Sequence, residues 1–174
     1  QCLEEDSCRE GSVHDFGKNI IPDLLASDRQ VYAYPFAGYW RDIGTVQSLW
    51  QANLDLLEPD NPFNLYHKDW QIYTKSNDLP PQYIASSALL EKAMVTQGCC
   101  IYGTVRHSVL FPGVTVEEGA LVEDSVLFPG CRICSGAQVK NAVLSEQVVL
   151  EPNSCVRGDS TIRVVPANTR IRQE

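Results

Sequence analysis

Asp42 is the residue of this chain best placed to do chemistry. It lies in Gly38-Tyr-Trp-Arg-Asp-Ile-Gly-Thr45, between a β-prone run and a helical one. A carboxylate in such a turn can take a position around Mg²⁺. That hard cation binds one or two carboxylates together with phosphate oxygens and water. The same aspartate could equally be structural, bonded to nearby backbone N–H groups or paired with Arg41. His14-Asp15-Phe16-Gly17 is a second candidate. A polar pair ahead of a helix can meet hydroxyls or phosphate. Asp15 could as well be a plain N-cap, accepting the free N–H groups of the first turn. Cys131-x-x-Cys134 has metal or redox spacing, but no second such pair accompanies it and no His adjoins it. The three histidines, at 14, 67 and 107, build no Ser-His-Asp or Cys-His arrangement. Neither common glycine-rich phosphate loop is present.

The elements that would hold these residues can be read around them. Residues 1–14 are polar and read as a loop or frayed start. Asp15 to Leu25 reads as a short helix that Pro22 bends or interrupts. Val31 to Tyr34 is β-prone and stops at Pro35. Thr45 to Leu57 is the clearest helix. Thr45 is a good cap, and Val46, Leu49, Trp50, Leu54 and Leu57 share one face. Residues 59–82 hold Pro59, Pro62, Pro80 and Pro81 and read as a linker, with room for a short strand at Trp70 to Tyr73.

The second half repeats itself. Val109-Leu-Phe-Pro-Gly returns seventeen residues later as Val126-Leu-Phe-Pro-Gly, and then fades into Val143-Leu-Ser-Glu-Gln. Within each repeat a bulky apolar residue recurs about every six: Leu110, Val116, Val122, Leu127, Ile133, Val139, Leu144, Leu150, Val156. A compact residue follows four later: Val114, Ala120, Val126, Cys131, Ala137, Val143, Val148, Ser154. This is the beat of a hexapeptide β-helix, whose coils bury their apolar sides only against one another. Gly113, Gly119, Gly130, Gly136 and Asn153 fall between the apolar positions, where corners need unusual backbone angles. The pattern runs back to Ile84, through a coil two residues short near Gly103-Thr104. Val164, Val165 and Ile171 in the tail read as a closing strand or edge cover. This register turns Cys131 inward and Cys134 outward, so the two cannot share a metal. His107 falls on an exposed face.

Net charge of −8 and a pI near 4.8 argue against a nucleic-acid surface, which needs Lys and Arg on phosphates. No apolar run reaches membrane-spanning length, and no signal-like start is present. Seven cysteines leave one unpaired in any disulfide scheme, and several free thiols agree with a reducing compartment. The chain reads as cytoplasmic, with no membrane and no nucleic-acid partner. It opens at Gln1 without an initiator Met and reads as a piece of a longer protein.

Three segments in order carry a resemblance to a known family: His14 to Pro22, Gly38 to Thr45, and Trp50-Gln-Ala-Asn-Leu-Asp-Leu-Leu57, followed by a hexapeptide solenoid. Together they resemble the C-terminal portion of bacterial glucose-1-phosphate adenylyltransferase, also called ADP-glucose pyrophosphorylase, of the catalytic type. The resemblance implies an α/β fragment, the end of a Rossmann-like nucleotidyltransferase domain (1–58), then the linker (59–82) and a left-handed parallel β-helix with a C-terminal cap (83–174). It implies synthesis of ADP-glucose and pyrophosphate from ATP and glucose 1-phosphate, feeding glycogen. Asp42 becomes a Mg²⁺ ligand. Ser12, Asp15, Phe16 and Trp40 become part of the glucose 1-phosphate wall. The family's nucleotide loop and sugar-phosphate lysine are expected upstream of Gln1, so this chain alone is expected to be inactive. The solenoid becomes an assembly module, in a homo-oligomer or with a related subunit, typically as a tetramer. A purely structural or regulatory subunit is the alternative; it tends to lack the carboxylate retained here as Asp42. A hexapeptide acyltransferase is disfavoured, because His107 is the solenoid's one His and no long loop interrupts the repeats.

Overall fold

A computed structural model describes residues 1–61, 63–74 and 78–173. The chain divides into two compact units, Gln1–Gly38 and Tyr39–Glu174.

The first unit is helical. It contains α1 (Cys2–Ser7), a π-helical turn over Phe16–Ile20, and α2 (Ile21–Ala26). Asp15 caps the π turn, its Oδ1 accepting the Lys18 N–H at 2.8 Å. Pro22 lies in the first turn of α2, where its missing N–H leaves no bond unmade. A loop or frayed start was the expectation for residues 1–14; α1 forms over Cys2–Ser7 instead. The reason is Asp6, which is buried and takes up Ser12 and His14 from the following segment. Val31 to Tyr34, β-prone in sequence, is not a strand. It has no ladder partner among the described residues, and Val31, Tyr32 and Tyr34 stand exposed.

The second unit joins one helix to a parallel β-helix. Helix α3 spans Val46–Asp55. The strands then follow in chain order: β1 (Tyr83–Ile84), β2 (Leu89–Val95), β3 (Cys100–Ile101), β4 (Thr104–Leu110), β5 (Thr115–Val116), β6 (Leu121–Glu123), β7 (Val126–Leu127), β8 (Arg132–Ile133), β9 (Gln138–Lys140), β10 (Ala142–Leu144), β11 (Val149–Leu150), β12 (Cys155–Arg157), β13 (Arg163–Val165) and β14 (Arg170–Ile171). Trp70 to Tyr73 forms no strand.

All the strand pairings are parallel, and they define three faces. One face stacks β1, β3, β5, β8, β11 and β14. A second stacks the first halves of β2 and β4 with β6, β9 and β12. The third stacks the second halves of β2 and β4 with β7, β10 and β13. Each corner is a column of left-handed residues. One holds Gly98, Gly113, Gly130 and Gln147; one holds Gly119, Gly136 and Asn153; one holds Lys92, His107, Asp124 and Asn141. The short coil is where its sequence placed it. Ile101 pairs with Val116, fifteen residues on, whereas Thr104 pairs with Leu121, seventeen on. Gly103 makes that tight corner possible, since a Cβ there would stand 2.5 Å from the carbonyl oxygens of Glu117 and Ala120. The tail continues the winding. Leu144 pairs with Val165, so the last coil carries four extra residues.

The bulky residues of the six-residue beat, Leu110 to Val156, all lie in the interior. Val114, Ala120, Cys131, Ala137 and Val148 join them there, and Ser154 is buried. Val126 and Val143, two of the compact positions near a corner, differ from the others. They point outward from the third face, and the buried Ser108, Ser125 and Ala142 occupy the inner places one residue earlier. A single left-handed residue makes that corner, and it resets the in–out alternation by one.

Leu127 is wholly buried between equivalents above and below it. Leu127→Ala is expected to lower unfolding free energy by about 2–5 kcal/mol, read from urea denaturation of the β-sheet signal.

Candidate functional site

Trp40, Arg41 and Asp42 occupy an irregular turn at the start of the second unit. Asp42 Oδ1 accepts the Gly44 N–H at 3.0 Å, so this carboxylate is braced by local backbone, and its other oxygen has no bond among the described residues. Trp40 projects outward and is 76% exposed. Arg41 does not pair with Asp42. Its Nη2 lies 2.6 Å from Asp55 Oδ2, near the end of α3. The Tyr39 hydroxyl donates to the same Asp55 oxygen at 2.9 Å, and Gln51 donates to Oδ1 at 3.0 Å. Burial pushes the Asp55 carboxyl up. Hydrogen bonds from Gln51 and Tyr39 and the Arg41 charge outweigh that effect and hold it below the ordinary carboxylate value. The turn bearing Trp40 and Asp42 is therefore clamped on both sides, by Tyr39 and Arg41, to α3.

Helix α3 is in turn seated on the solenoid. Its start is a capping box: Thr45 and Ser48 each satisfy the other's backbone N–H. Trp50, Leu54 and Leu57 then pack on the outer strip of Val109, Val126 and Val143, with Phe111 and Phe128 beside them. The two phenylalanine rings, at equivalent positions of successive coils, stack 4.9 Å apart. Trp50 Nε1 donates to the Asp124 carbonyl at 2.8 Å, which fixes the helix along the strip. Below the helix, Glu58 accepts from Lys92 Nζ at 2.7 Å. His107 was expected to be an exposed surface residue. It is half-buried at a corner, with Nδ1 2.7 Å from Asp124 Oδ1 and Nε2 3.7 Å from Glu58 Oε1.

Ser12, Asp15 and Phe16 belong to the first unit. The Ser12 hydroxyl donates to Asp6 Oδ1 at 2.6 Å and accepts the His14 N–H. Bonds from Ser12 and His14 hold the Asp6 carboxyl below its ordinary range. Asp15 serves as the N-cap already described, and Phe16 is exposed. A cavity of about 310 Å³ in this unit is lined by Asp6, Arg9, Asp23 and Arg29 among others, and not by Ser12, Asp15 or Phe16. Trp40 and Asp42 belong to the second unit.

Among the described residues, no group of three or more His, Cys, Asp or Glu side chains could hold a metal by itself. Asp42 thus supplies one carboxylate with an oxygen left unbonded by the described residues. That fits a Mg²⁺ ion that takes most of its ligands from phosphate and water, and it does not fit an all-protein cage. The thiols are free. Cys131 is buried, its Sγ donating to the Ser145 carbonyl at 3.0 Å, and burial pushes the thiol up to about 11. Asp55 and the clamp were not evident in the sequence. The available signal was Gln51 and Asp55 four apart on the polar side of α3.

Two outcomes follow from this geometry. The Asp55 clamp stabilises fully above the ordinary carboxylate value of 3.8 and weakens as the pH falls through the lower folded value. In urea denaturation, the stability gap between wild type and Asp55→Asn should be largest near neutrality and should close in acid. Cys131 should resist iodoacetamide in the folded chain at neutral pH, because the thiolate is the reactive form. It should react on unfolding, as read by mass spectrometry of its peptide. No helix among the described residues is long and apolar enough to cross a membrane.

Comparison with known proteins agrees with these features. Residues 3–59 match the model of the nucleotidyl transferase family, and residues 83–161 match the GlmU-like C-terminal hexapeptide model. A glucose-1-phosphate adenylyltransferase of Bacillus thuringiensis (strain Al Hakam) is 45% identical over 160 residues, covering 92% of this chain and 43% of the relative. The protein of that name from Bacillus mycoides (strain KBAB4) is 44% identical over the same shares. The one from Clostridium novyi (strain NT) is 51% identical over 120 residues, 69% of this chain and 31% of its own length. The chain thus spans less than half the length of the relatives it matches. Over that span, with a nucleotidyl transferase segment followed by a hexapeptide β-helix, it belongs to the glucose-1-phosphate adenylyltransferase family.

Proposed function

We propose that this chain is part of an enzyme that makes ADP-glucose and pyrophosphate from ATP and glucose 1-phosphate for glycogen synthesis. The observation that carries the reading is the turn of Trp40 and Asp42. It presents an aromatic face and an unspent carboxylate oxygen, and it is clamped through Arg41 and Asp55 to a helix seated on the solenoid. The kinship at 45% identity supports the same chemistry.

In this reading residues 1–58 are the end of the catalytic domain, 59–82 the linker, and 83–174 the β-helix that serves assembly into an oligomer in the cytoplasm. Asp42 contributes its carboxylate to Mg²⁺, and the ion when bound offsets charge on the triphosphate. Trp40, Ser12, Asp15 and Phe16 form part of the wall that binds the sugar phosphate. The protein's own work is positioning: it aligns the sugar phosphate for in-line attack on the α-phosphorus and excludes competing geometries. A shift of a fraction of an ångström in the turn would cost rate, which is why a clamp of charged hydrogen bonds there matters.

The chain by itself contains neither common glycine-rich phosphate loop and should form no ADP-glucose. Grafted in place of the matching segment of the Bacillus thuringiensis relative, it should support ADP-glucose formation. In that graft Asp42→Asn should lower kcat/KM by at least about a hundredfold, the scale of losing one preorganised charge-stabilising group. A folded, inactive graft, or full activity with Asn at 42, would overturn the reading.

A further inference from the structure

Asp6 is a buried charged side chain, 6% exposed, and among the described residues no other charged side chain is buried. A carboxylate taken out of water must find hydrogen bonds. Asp6 finds them in the segment that follows Gly11. Ser12 Oγ donates to Oδ1 at 2.6 Å, and His14 Nδ1 donates to Oδ2 at 2.8 Å. Ser12 Oγ in turn accepts the His14 N–H at 3.1 Å, which closes a ring of bonds among the three residues. The His14 backbone is bent into the left-handed region, with φ 55°. Every other non-glycine residue so bent, among the described residues, lies within the β-helix. Such a backbone persists only where its surroundings fix it, and it collects at working sites. The His14 side chain, held at its inner nitrogen, is still 55% exposed.

This bonding sets what the surface offers. An ionised carboxylate has no proton to give, so Nδ1 carries the imidazole proton and Ser12 turns its own proton toward Asp6. Neutral His14 then presents Nε2 as an acceptor. Nε2 has no hydrogen-bond partner among the described residues. Asp15, next in the chain, engages Oδ1 with the Lys18 N–H and has no bond to Oδ2 among the described residues. Ser12, His14 and Asp15 therefore present acceptors. Acceptors match hydroxyl groups, which can donate, and oppose phosphoryl oxygens, which cannot.

We propose that His14 is a further binding residue for the sugar phosphate, its Nε2 accepting a hydrogen bond from a hydroxyl of the sugar, and that Asp6 is the positioning residue that holds His14 in this tautomer. The assignment rests on the reading that this unit belongs to a sugar-phosphate nucleotidyltransferase, and it deepens that reading by giving this edge of the wall to the sugar rather than to its phosphate. Asp6 itself touches no substrate. It fixes the direction of two side chains at once, so that both keep their donors inward.

The test uses the graft in the Bacillus thuringiensis relative. His14→Asn keeps an N–H donor at the place of Nδ1 and tolerates the left-handed backbone, but it removes Nε2. It should raise KM for glucose 1-phosphate about tenfold, the scale of one neutral hydrogen bond, with the effect falling on KM and hardly on kcat. Deoxy analogues of glucose 1-phosphate then name the hydroxyl. With His14 present, one analogue should lose about tenfold in kcat/KM, and with His14→Asn that loss should vanish. Val13→Ala, which trims the exposed neighbour and leaves both bonds to Asp6, should change neither constant. In the isotopically labelled chain under mildly alkaline conditions, the ring nitrogen shifts should place the His14 proton on Nδ1. Asp6→Asn, whose amide can donate to Nδ1, should move that proton to Nε2. With an active graft, the proposal is overturned by an unchanged KM in His14→Asn, by an equal rise in Val13→Ala, by an analogue penalty that survives His14→Asn, or by a tautomer indifferent to Asp6→Asn. An inactive graft would overturn it together with the catalytic reading.

Discussion

The backbone of a two- or three-residue strand cannot satisfy itself. In this protein each such strand finds its hydrogen bonds only in the coil before it and the coil after it. Every other feature of the second unit is subordinate to that constraint. A residue must meet its own equivalent one coil away, so bulky residues stack on bulky ones in the interior and left-handed residues stack in columns at the corners. Departures from the period are tolerated only at corners. The coil at Gly103 loses two residues there and the last coil gains four at Gly158, and in both cases the ladders on either side keep their parallel register.

The stacking also creates a surface. Because the third face turns Val109, Val126 and Val143 outward in register, it offers an apolar strip that must be covered. Helix α3 covers it with Trp50, Leu54 and Leu57, and the Trp50 bond to the Asp124 carbonyl selects one placement along the strip. The same helix holds Asp55, which binds Tyr39 and Arg41 and so fixes the turn of Trp40 and Asp42. The regularity of the solenoid is thereby passed to an irregular turn through one helix. In the proposed catalytic reading, the β-helix then has a mechanical part beyond assembly: it is the anvil against which the metal carboxylate is set.

Charge follows the same geometry. Glu117 with Arg132, Glu123 with Lys140, and Glu151 with Arg170 pair across neighbouring coils, so the repeat arrays opposite charges in rows. These pairs are largely exposed and each contributes little to stability. Among the described residues Arg157 and Arg163, beside the enlarged last corner, take no part in these rows.

The repeat, its inward residues, its corner glycines, the short coil at Gly103 and the capped helix after Thr45 were all legible in the sequence. Each is set by local periodicity or by near neighbours, and a strict period leaves one register that buries every bulky residue at once. What the sequence left open was decided by groups far apart along the chain. Val126 and Val143 face outward because a single left-handed residue at the corner reverses the alternation, and they stay buried because α3, remote in sequence, lies over them. Arg41 turns from its neighbour Asp42 to Asp55, fourteen residues on, because Tyr39 and Gln51 already meet there. Helix α1 forms where polarity alone pointed to a loop, because the Asp6 carboxylate is taken up by Ser12 and His14. Periodicity can be read from one strand of text; the partner of a buried charge or of an outward apolar face exists only after the chain has folded.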